Sequence, residues 1–206
     1  MSVLINFDGM AGSGKTKIVH MLANLLQKNG RRVKVIREKH IPSFQNKLKE
    51  WKIKSSFNHY SVEDIRRIAK ERANAHKLFI LPMLQSGTIV LLDRCYFTCA
   101  ALRATKEIPS KLIIDTNLNE NVIKGEKSFI LICPIEISKK RIMDRENGQR
   151  LKWPEKFPNI HEYLSTTHVN YKSIVNSLND DDIIEINASL SIQEVFHEIT
   201  LKTGFF

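Results

Sequence analysis

The sequence lacks the features that mark several large classes of protein. Only 3 of its 206 residues are cysteines, and an odd count without a secretory leader argues against a disulfide framework, so we expect reduced thiols. The apolar runs at residues 88–92 and 129–133 have the length of buried strands, far below the roughly 20 residues that span a bilayer. The first residues also lack a basic segment followed by an apolar stretch and a cleavage site. We therefore expect a cytoplasmic protein without a membrane span.

Acidic residues are fewer than basic ones, with 22 Asp and Glu against 32 Lys and Arg and a net charge of +10. Such a surplus raises the question of nucleic-acid binding, because clustered cations neutralise phosphates. The basic residues are instead spread over four segments, at 28–39, 47–54, 66–72 and 139–152, without the aromatic platforms of RNA-binding modules. The sequence favours a solvated surface and a nucleotide-phosphate site over a nucleic-acid partner.

Internal repeats and low-complexity tracts are absent, and the length suits a single domain spanning residues 1–206. Helical patterns alternate along the chain with short apolar runs. These strand candidates lie at residues 3–7, 33–36, 88–92, 129–133 and 182–186. The alternation predicts an α/β fold with a five-stranded parallel sheet flanked by helices. The long helical pattern at 61–84 is expected to kink or break at Pro82.

Residues 9–16 match the pattern G-x-x-x-x-G-K-[ST]. The match follows a predicted strand and opens a predicted helix, so backbone N–H groups and a helix N-terminus face an anion there. Lys15 is expected to reach the terminal phosphates of ATP and the Thr16 hydroxyl to ligate Mg²⁺. A flexible turn is the alternative interpretation. The predicted ATP-binding residues of this loop are Gly9, Met10, Ala11, Gly12, Ser13, Gly14, Lys15 and Thr16.

Two carboxylates lie at the ends of predicted strands. Asp93 follows the run 88–92, and in a parallel sheet that end lines the ligand crevice, so Asp93 is placed to hold the metal's water shell. Arg94 beside it suits a phosphate. Asp8 precedes the loop and is a candidate to orient Mg²⁺ or to act as a base toward an acceptor hydroxyl. Structural alternatives stay open, since Asp93 also suits a helix cap and Asp8 suits bonds to nearby backbone N–H groups.

Three further arginines are candidates for closing over a transferring phosphate. Arg141 and Arg145 share a helix face, and Arg150 opens a basic loop with prolines and a glycine. Their positive charge would stabilise a transition state and exclude water, while a solvated helix face is the alternative. We assign Arg141 to ATP binding. The predicted catalytic residues are Asp8, Lys15, Asp93, Arg94, Arg145 and Arg150.

In order and spacing, these motifs resemble those of thymidylate kinase and its relatives among the nucleoside and nucleotide kinases. Residues 37–38 fall where that family has its Arg-Glu-Pro segment, and residues 71–74 resemble its Asp-Arg-Ala-Gln stretch. Residues 93–94 match its strand-end Asp-Arg, and Tyr171 resembles the tyrosine that commonly follows the lid. The resemblance implies a P-loop nucleotide kinase architecture with a lid at about residues 145–159.

The resemblance also implies what several residues contact. The acceptor nucleotide or its phosphate would meet Arg37, Arg72, Asn74 and Arg94. Lys15 and the lid arginines would handle ATP, with Mg²⁺ as the cofactor at Thr16 and Asp93. Dimers are common in the family, so a homodimer is compatible with the resemblance.

Other positions depart from the family's pattern. Ala11 stands where thymidylate kinases carry an Asp that helps to recognise the acceptor sugar, and Cys95 replaces the tyrosine of Asp-Arg-Tyr. Ile68 stands near the place of an aromatic ring that stacks on the base. The phosphate machinery is retained, whereas the thymidine pocket is altered.

Three hypotheses for the function follow. The first is transfer of the ATP γ-phosphate to a nucleoside monophosphate, with dTMP as the best single choice. The second keeps the fold but moves the acceptor to the 5′-hydroxyl of a deoxynucleoside, with Asp8 as the base. The third is a non-catalytic P-loop module that binds nucleotide or nucleic acid.

Overall fold

The computed structural model describes residues 2–54, 61–144, 157–178 and 180–205. Their centre is a sheet of five strands, all parallel, in the order β2-β3-β1-β4-β5. The strands are β1 Leu4–Gly9, β2 Val33–Ile36, β3 Ile89–Asp93, β4 Lys127–Ile132 and β5 Ile183–Asn187. The predicted α/β fold with a five-stranded parallel sheet is therefore confirmed.

Helices cover both faces of the sheet. In the described part of the chain they are α1 Lys15–Lys28, α2 Pro42–Lys54, α3 Val62–Ala75, α4 Leu81–Gln85, α5 Tyr96–Arg103, α6 Ser110–Asn119, α7 Ile135–Met143, α8 Ile160–Leu178 and α9 Ile192–Thr203. Helices α1 and α9 pack on one face, and α3, α5, α6 and α8 on the other. None of the described helices has the length and hydrophobicity that a bilayer crossing requires.

Successive strand residues alternate between two hydrophobic cores. Leu92 and Ile130 belong to the core under α3, α5, α6 and α8, whereas Leu91 and Leu131 belong to the core under α1 and α9. All four side chains are fully buried. Burial on both faces explains why these strands read as uninterrupted apolar runs.

The helical pattern at residues 61–84 is interrupted one turn before Pro82. Helix α3 passes into a π-helical turn, His76–Ile80, and continues as α4. Pro82 has no N–H for the carbonyl of Leu78, and its ring crowds that carbonyl. The wider turn accommodates both effects without breaking the helix.

Strand β1 is longer than the sequence predicts. It continues through Asp8 and Gly9, which pair with Ile130 and Leu131 of β4. Asp8, which directly follows the predicted strand at residues 3–7, is therefore a strand residue, and its side chain lies inside the protein.

Candidate active site

A cavity of about 600 Å³ opens at the carboxyl ends of β1 and β3. The connections that follow these two strands run to opposite sides of β1, which creates a crevice at that edge of the sheet. One end of the cavity, the loop end, is lined by residues 10–17. The other, the distal end, is lined by side chains of α2, α3 and α5 together with Glu38. Arg37 and Arg94 lie between the two ends.

The glycines of the loop are required by close backbone packing. A Cβ atom on Gly9 would collide with the backbone of Leu131, and one on Gly12 would lie 2.6 Å from the carbonyl oxygen of Ser138. Both residues have positive φ, 138° and 80°, a region that other residues rarely adopt. The loop is therefore held against β4 and α7, with its N–H groups beside the start of α1.

Lys15, the first residue of α1, lies in the loop end and is only 4% exposed. Its ammonium group forms an ion pair with Oδ1 of Asp93. Burial lowers the pKa of Lys15 to about 7, and the positive charge of Arg94 adds to that shift. The charge of the Asp8 carboxylate acts in the opposite direction and raises this pKa, as would a bound phosphate, because a nearby negative charge favours the protonated form.

Asp93, at the end of β3, contacts two polar residues in addition to Lys15. Thr16 donates its hydroxyl to Oδ2 at 3.1 Å, and Arg37 donates Nε to the same oxygen at 2.9 Å. Arg37 also donates Nη2 to the Thr16 hydroxyl at 3.2 Å. The predicted acceptor residue Arg37 thus lies beside the predicted metal ligands, with 44% of its side chain exposed.

The donor set at this point fits Mg²⁺. That ion takes oxygen ligands, and in kinase sites it is bound by one or two carboxylates together with the substrate phosphates. Thr16 and Asp93 supply one hydroxyl and one carboxylate. Within residues 2–54, 61–144, 157–178 and 180–205, no cluster of three or more His, Cys, Asp or Glu residues forms an all-protein metal cage. The predicted pair is therefore suited to an ion that arrives with a nucleotide.

The structure places Asp8, the predicted base or Mg²⁺-orienting residue, inside the protein and away from the cavity. Asp8 is fully buried, and it is not among the residues that line the cavity. Its carboxylate accepts hydrogen bonds from the N–H groups of Gly9, Cys95 and Thr98 and from the hydroxyls of Thr98 and Tyr171, at 2.5 to 3.0 Å. These donors occupy the lone pairs of both oxygens. These contacts fit the alternative interpretation of Asp8 as a residue that bonds nearby backbone N–H groups, and they connect β1 to α5 and α8.

Arg94 is held in a strained conformation next to this carboxylate. Its φ of 73° is rare for a residue with a side chain, and such strain persists only where the surroundings impose it. The N–H of Arg94 donates to Phe7 of β1 at 2.8 Å, and its Nη1 donates to the carbonyl of Gly9 and the hydroxyl of Thr98, each at 3.2 Å. Arg94 lines the cavity, and the contacts of its guanidinium with Gly9 at the loop and Thr98 on α5 place it between the two ends.

A buried polar cluster forms the distal end. Arg72 donates Nε to Oε2 of Glu38 at 2.8 Å and Nη1 to Oδ1 of Asn117. The other oxygen of Glu38 lies 2.9 Å from Nε2 of His76. The guanidinium carbon of Arg72 lies 5.2 Å from the centre of the Phe44 ring. Arg72, predicted to contact the acceptor, therefore lines the cavity from a fixed position.

The remaining distal wall combines two cationic residues, Lys39 and Arg103, with apolar side chains. The apolar side chains come from α2, α3 and α5 and the residue before α5, and they are Phe44, Leu48, Ile68, Cys95, Cys99 and Leu102. Ile68 lies in the cavity where the family places an aromatic ring, and Phe44 brings a ring to the same cavity from another helix. The wall suits the flat, weakly polar face of a base or sugar.

The structure places two of the predicted site residues outside the lining of the cavity. Asn74 is exposed on α3 and does not line the cavity, because two residues along a helix turn the side chain about 200° away from Arg72. Arg141 directs its guanidinium to the carbonyl oxygens of residues 188, 189 and 190, at 2.5, 3.4 and 3.2 Å. Arg141 therefore holds the loop after β5 and is not a lining residue of the cavity.

The predicted lid arginines, Arg145 and Arg150, lie outside the described residues, as does most of the predicted lid at 145–159. Sequence reasoning missed Phe44, Thr98 and Asn117 as parts of the site. It also gave no role to His76, although that residue lies four positions after Arg72 and therefore on the same helix face.

The fold and the site together define a P-loop protein of the nucleotide kinase type, in which a glycine-rich loop, a lysine and a strand-end aspartate face a second, partly apolar binding region. Comparison with known proteins identifies the family. The family model described as "Thymidylate kinase" matches residues 7–199. The chain belongs to the thymidylate kinase family.

Individual relatives match along nearly their whole length. The "Probable thymidylate kinase" of Archaeoglobus fulgidus is 30% identical over 198 residues, which cover 96% of this chain and 92% of the relative. The "Probable thymidylate kinase" of Thermococcus gammatolerans is 25% identical, with coverage of 97% and 94%. The "Thymidylate kinase" of Francisella tularensis subsp. holarctica is also 25% identical, again with coverage of 97% and 94%.

Proposed function

We propose that this protein transfers the γ-phosphate of ATP to dTMP. One observation carries the proposal: a phosphate-binding loop end and a partly apolar distal end belong to one continuous cavity, with Arg94 between them. A donor and an acceptor bound at the two ends would bring their phosphates together near Arg94. The names of the relatives as thymidylate kinases support dTMP as the acceptor.

Positioning and charge neutralisation account for the reaction. The loop N–H groups and Lys15 would hold the β- and γ-phosphates, and Arg37 and Arg94 would hold the acceptor phosphate. Because an acceptor phosphate is already ionised at neutral pH, no base has to remove a proton from it. Mg²⁺ held through Thr16 and Asp93 would supply additional charge neutralisation on the donor phosphates.

The environment of Asp8 weighs against the deoxynucleoside kinase alternative. A 5′-hydroxyl acceptor needs a base within hydrogen-bond reach, and Asp8 is buried outside the cavity with its oxygens occupied. A non-catalytic nucleotide switch is also less consistent with the site, because it gives no role to Arg72 and the distal wall. The monophosphate acceptor uses both ends of the cavity.

Three further features belong to the same proposal. The predicted lid at 145–159 would close over ATP through Arg145 and Arg150, which would exclude water from the transferring phosphate. A cytosolic location is consistent with the buried free thiols of Cys95, Cys99 and Cys133. A homodimer remains a proposal that sedimentation or light scattering can test.

The decisive experiment is a coupled ADP-release assay with ATP and Mg²⁺ over the common nucleoside monophosphates and deoxynucleosides. We expect dTMP to give the highest kcat/KM and nucleosides to give no turnover. Folded protein that binds ATP yet phosphorylates none of the monophosphates would refute the proposal. Turnover of a nucleoside that disappears in an Asp8→Asn variant with wild-type melting temperature and ATP binding, with no monophosphate activity, would instead establish the alternative.

A further inference from the structure

The distal end contains a polar cluster that is almost entirely removed from solvent. Glu38, Arg72, His76 and Asn117 are exposed by only 5%, 4%, 0% and 0%. They come from the turn after β2, from α3 and its π-helical extension, and from α6. Burying this many polar groups beside a ligand cavity costs free energy unless each is paired. Their pairing determines how Arg72 meets a ligand.

Two partners fix the Arg72 guanidinium along two of its sides. Nε donates to Glu38 and Nη1 to Asn117, so two of the five N–H donors are used. The amide of Asn117 is itself oriented, because its Nδ2 donates to the carbonyl of Ile113 at 2.7 Å. The remaining donors of Arg72 make no hydrogen bond to the described residues, and Arg72 lines the cavity.

His76 contacts the second carboxylate oxygen of Glu38. Its Nε2 lies 2.9 Å from Oε1, the oxygen that Arg72 does not use. Burial alone would raise the pKa of Glu38, but the charge of Arg72 and the hydrogen bond with His76 outweigh it and hold that pKa below its usual value. Glu38 therefore remains a carboxylate, and a carboxylate with both oxygens engaged has one orientation available.

We infer that Glu38, His76 and Asn117 are positioning residues that hold the Arg72 guanidinium ready for the acceptor nucleotide. The inference rests on the proposed function, because it takes the distal end as the acceptor site. A flexible arginine would lose side-chain entropy when the acceptor binds, whereas this one is ordered in advance. Fixed N–H donors also favour an acceptor that presents an oxygen at that place over one that presents an amino group.

The test uses Asn117→Leu, which removes the oxygen that receives Arg72 while keeping a side chain of similar size. We expect the KM for the acceptor to rise about tenfold, since the charge-assisted hydrogen bond to Asn117 positions the Arg72 guanidinium that contacts the acceptor. We expect the KM for ATP to stay within about twofold, because the loop end is unchanged. Ser128→Ala is the matched control, as it removes a buried hydrogen bond to Asn6 on β1, outside the lining of the cavity.

A double-mutant cycle separates positioning from simple destabilisation. If Asn117 acts through Arg72, then Asn117→Leu combined with Arg72→Lys should have the same acceptor KM as Arg72→Lys alone. Glu38→Gln should behave in the same way, and it provides a second variant if Asn117→Leu folds poorly. Melting temperatures of all variants show which losses are only structural.

The outcomes distinguish this inference from the function on which it rests. Wild-type protein that phosphorylates no monophosphate contradicts the proposed function and removes the basis of the inference. Active wild type with an unchanged acceptor KM in Asn117→Leu, and a melting temperature lowered as in Ser128→Ala, overturns the inference alone. Additive losses in the double variant also overturn it, because independent effects do not pass through Arg72.

Discussion

The two ends of the cavity are built in different ways. The loop end is made from a continuous stretch of chain, residues 10–17, to which β3 adds Asp93. The distal end is assembled from Glu38, Phe44, Arg72 and Asn117, which lie in four separate elements. Arg72 and Asn117 are 45 residues apart in sequence yet share a hydrogen bond.

This difference separates a general function from a specific one. A loop that holds phosphates needs backbone N–H groups and a lysine, and these suit any nucleoside triphosphate. Recognition of one acceptor needs side chains placed by tertiary packing, and such a set can change while the loop stays the same. The departures at Ile68 and Cys95 from the family's pattern fit this division, since both line the distal end, whereas the departure at Ala11 lies within the loop itself.

The largest effect is expected at the loop end, from Lys15→Ala. Loss of this charge should lower kcat by about 10²–10³-fold with little change in acceptor KM, because the residue acts on the transferring phosphate. Unfolding in urea should show a cost of about 1–3 kcal/mol, since Asp93 loses a buried partner but keeps Arg37 and Thr16. A kcat within tenfold of wild type would show that the loop does not act on the reacting phosphate.

Arg72→Ala tests the distal end, where we expect losses of stability and of acceptor affinity rather than a loss of kcat. The buried carboxylate of Glu38 would lose its cation, and removing one partner of a buried pair costs about 3–5 kcal/mol. The variant should therefore lose more stability than Lys15→Ala and show a raised acceptor KM. Denaturant melts and steady-state kinetics measure the two effects. Equal stability of the two variants would contradict the view that the distal end depends on tertiary pairing.

Much of the fold could be predicted because its signals are local. The strands are apolar runs buried on both faces, and Pro82 marks an interruption of α3 because it lacks an N–H group. The loop was recognisable from four residues at fixed spacing. Local patterns ended the first strand at residue 7 and so placed Asp8 outside β1, because the end of this strand depends on its pairing with β4 rather than on composition.

The distal end could not be predicted because its contacts are distant in sequence. Hydrophobic periodicity is weak over α2 and α6, the helices that carry Phe44 and Asn117. Asn117 lies on α6 without any sequence feature that relates it to Arg72. The family resemblance pointed to Arg72 itself, but only the packing of α3 against α6 shows which residues orient it.

Phe44→Leu should give a smaller effect that is confined to the distal end. Leucine keeps most of the apolar surface but removes the ring near Arg72, a contribution of about 1 kcal/mol. We expect the acceptor KM to rise about fivefold with the ATP KM unchanged. Leu22→Ala on α1, whose side chain is buried in the other core, is the matched control for packing losses. Equal increases in the two KM values of Phe44→Leu would mean that the ends are not separate sites.

The smallest effect is expected from Asn74→Ala, two residues from Arg72 on the same helix. Asn74 is exposed and turned away from the cavity, and alanine is the better helix former, so stability should change by no more than about 0.5 kcal/mol. Its acceptor KM should stay within about twofold of wild type. The pair Arg72 and Asn74 therefore sharpens the comparison, because two nearby residues of the family-like segment face in different directions, one into the cavity and one into solvent. A fivefold rise in acceptor KM for Asn74→Ala would show that the acceptor reaches beyond the cavity, and the distal end would then extend to the exposed face of α3.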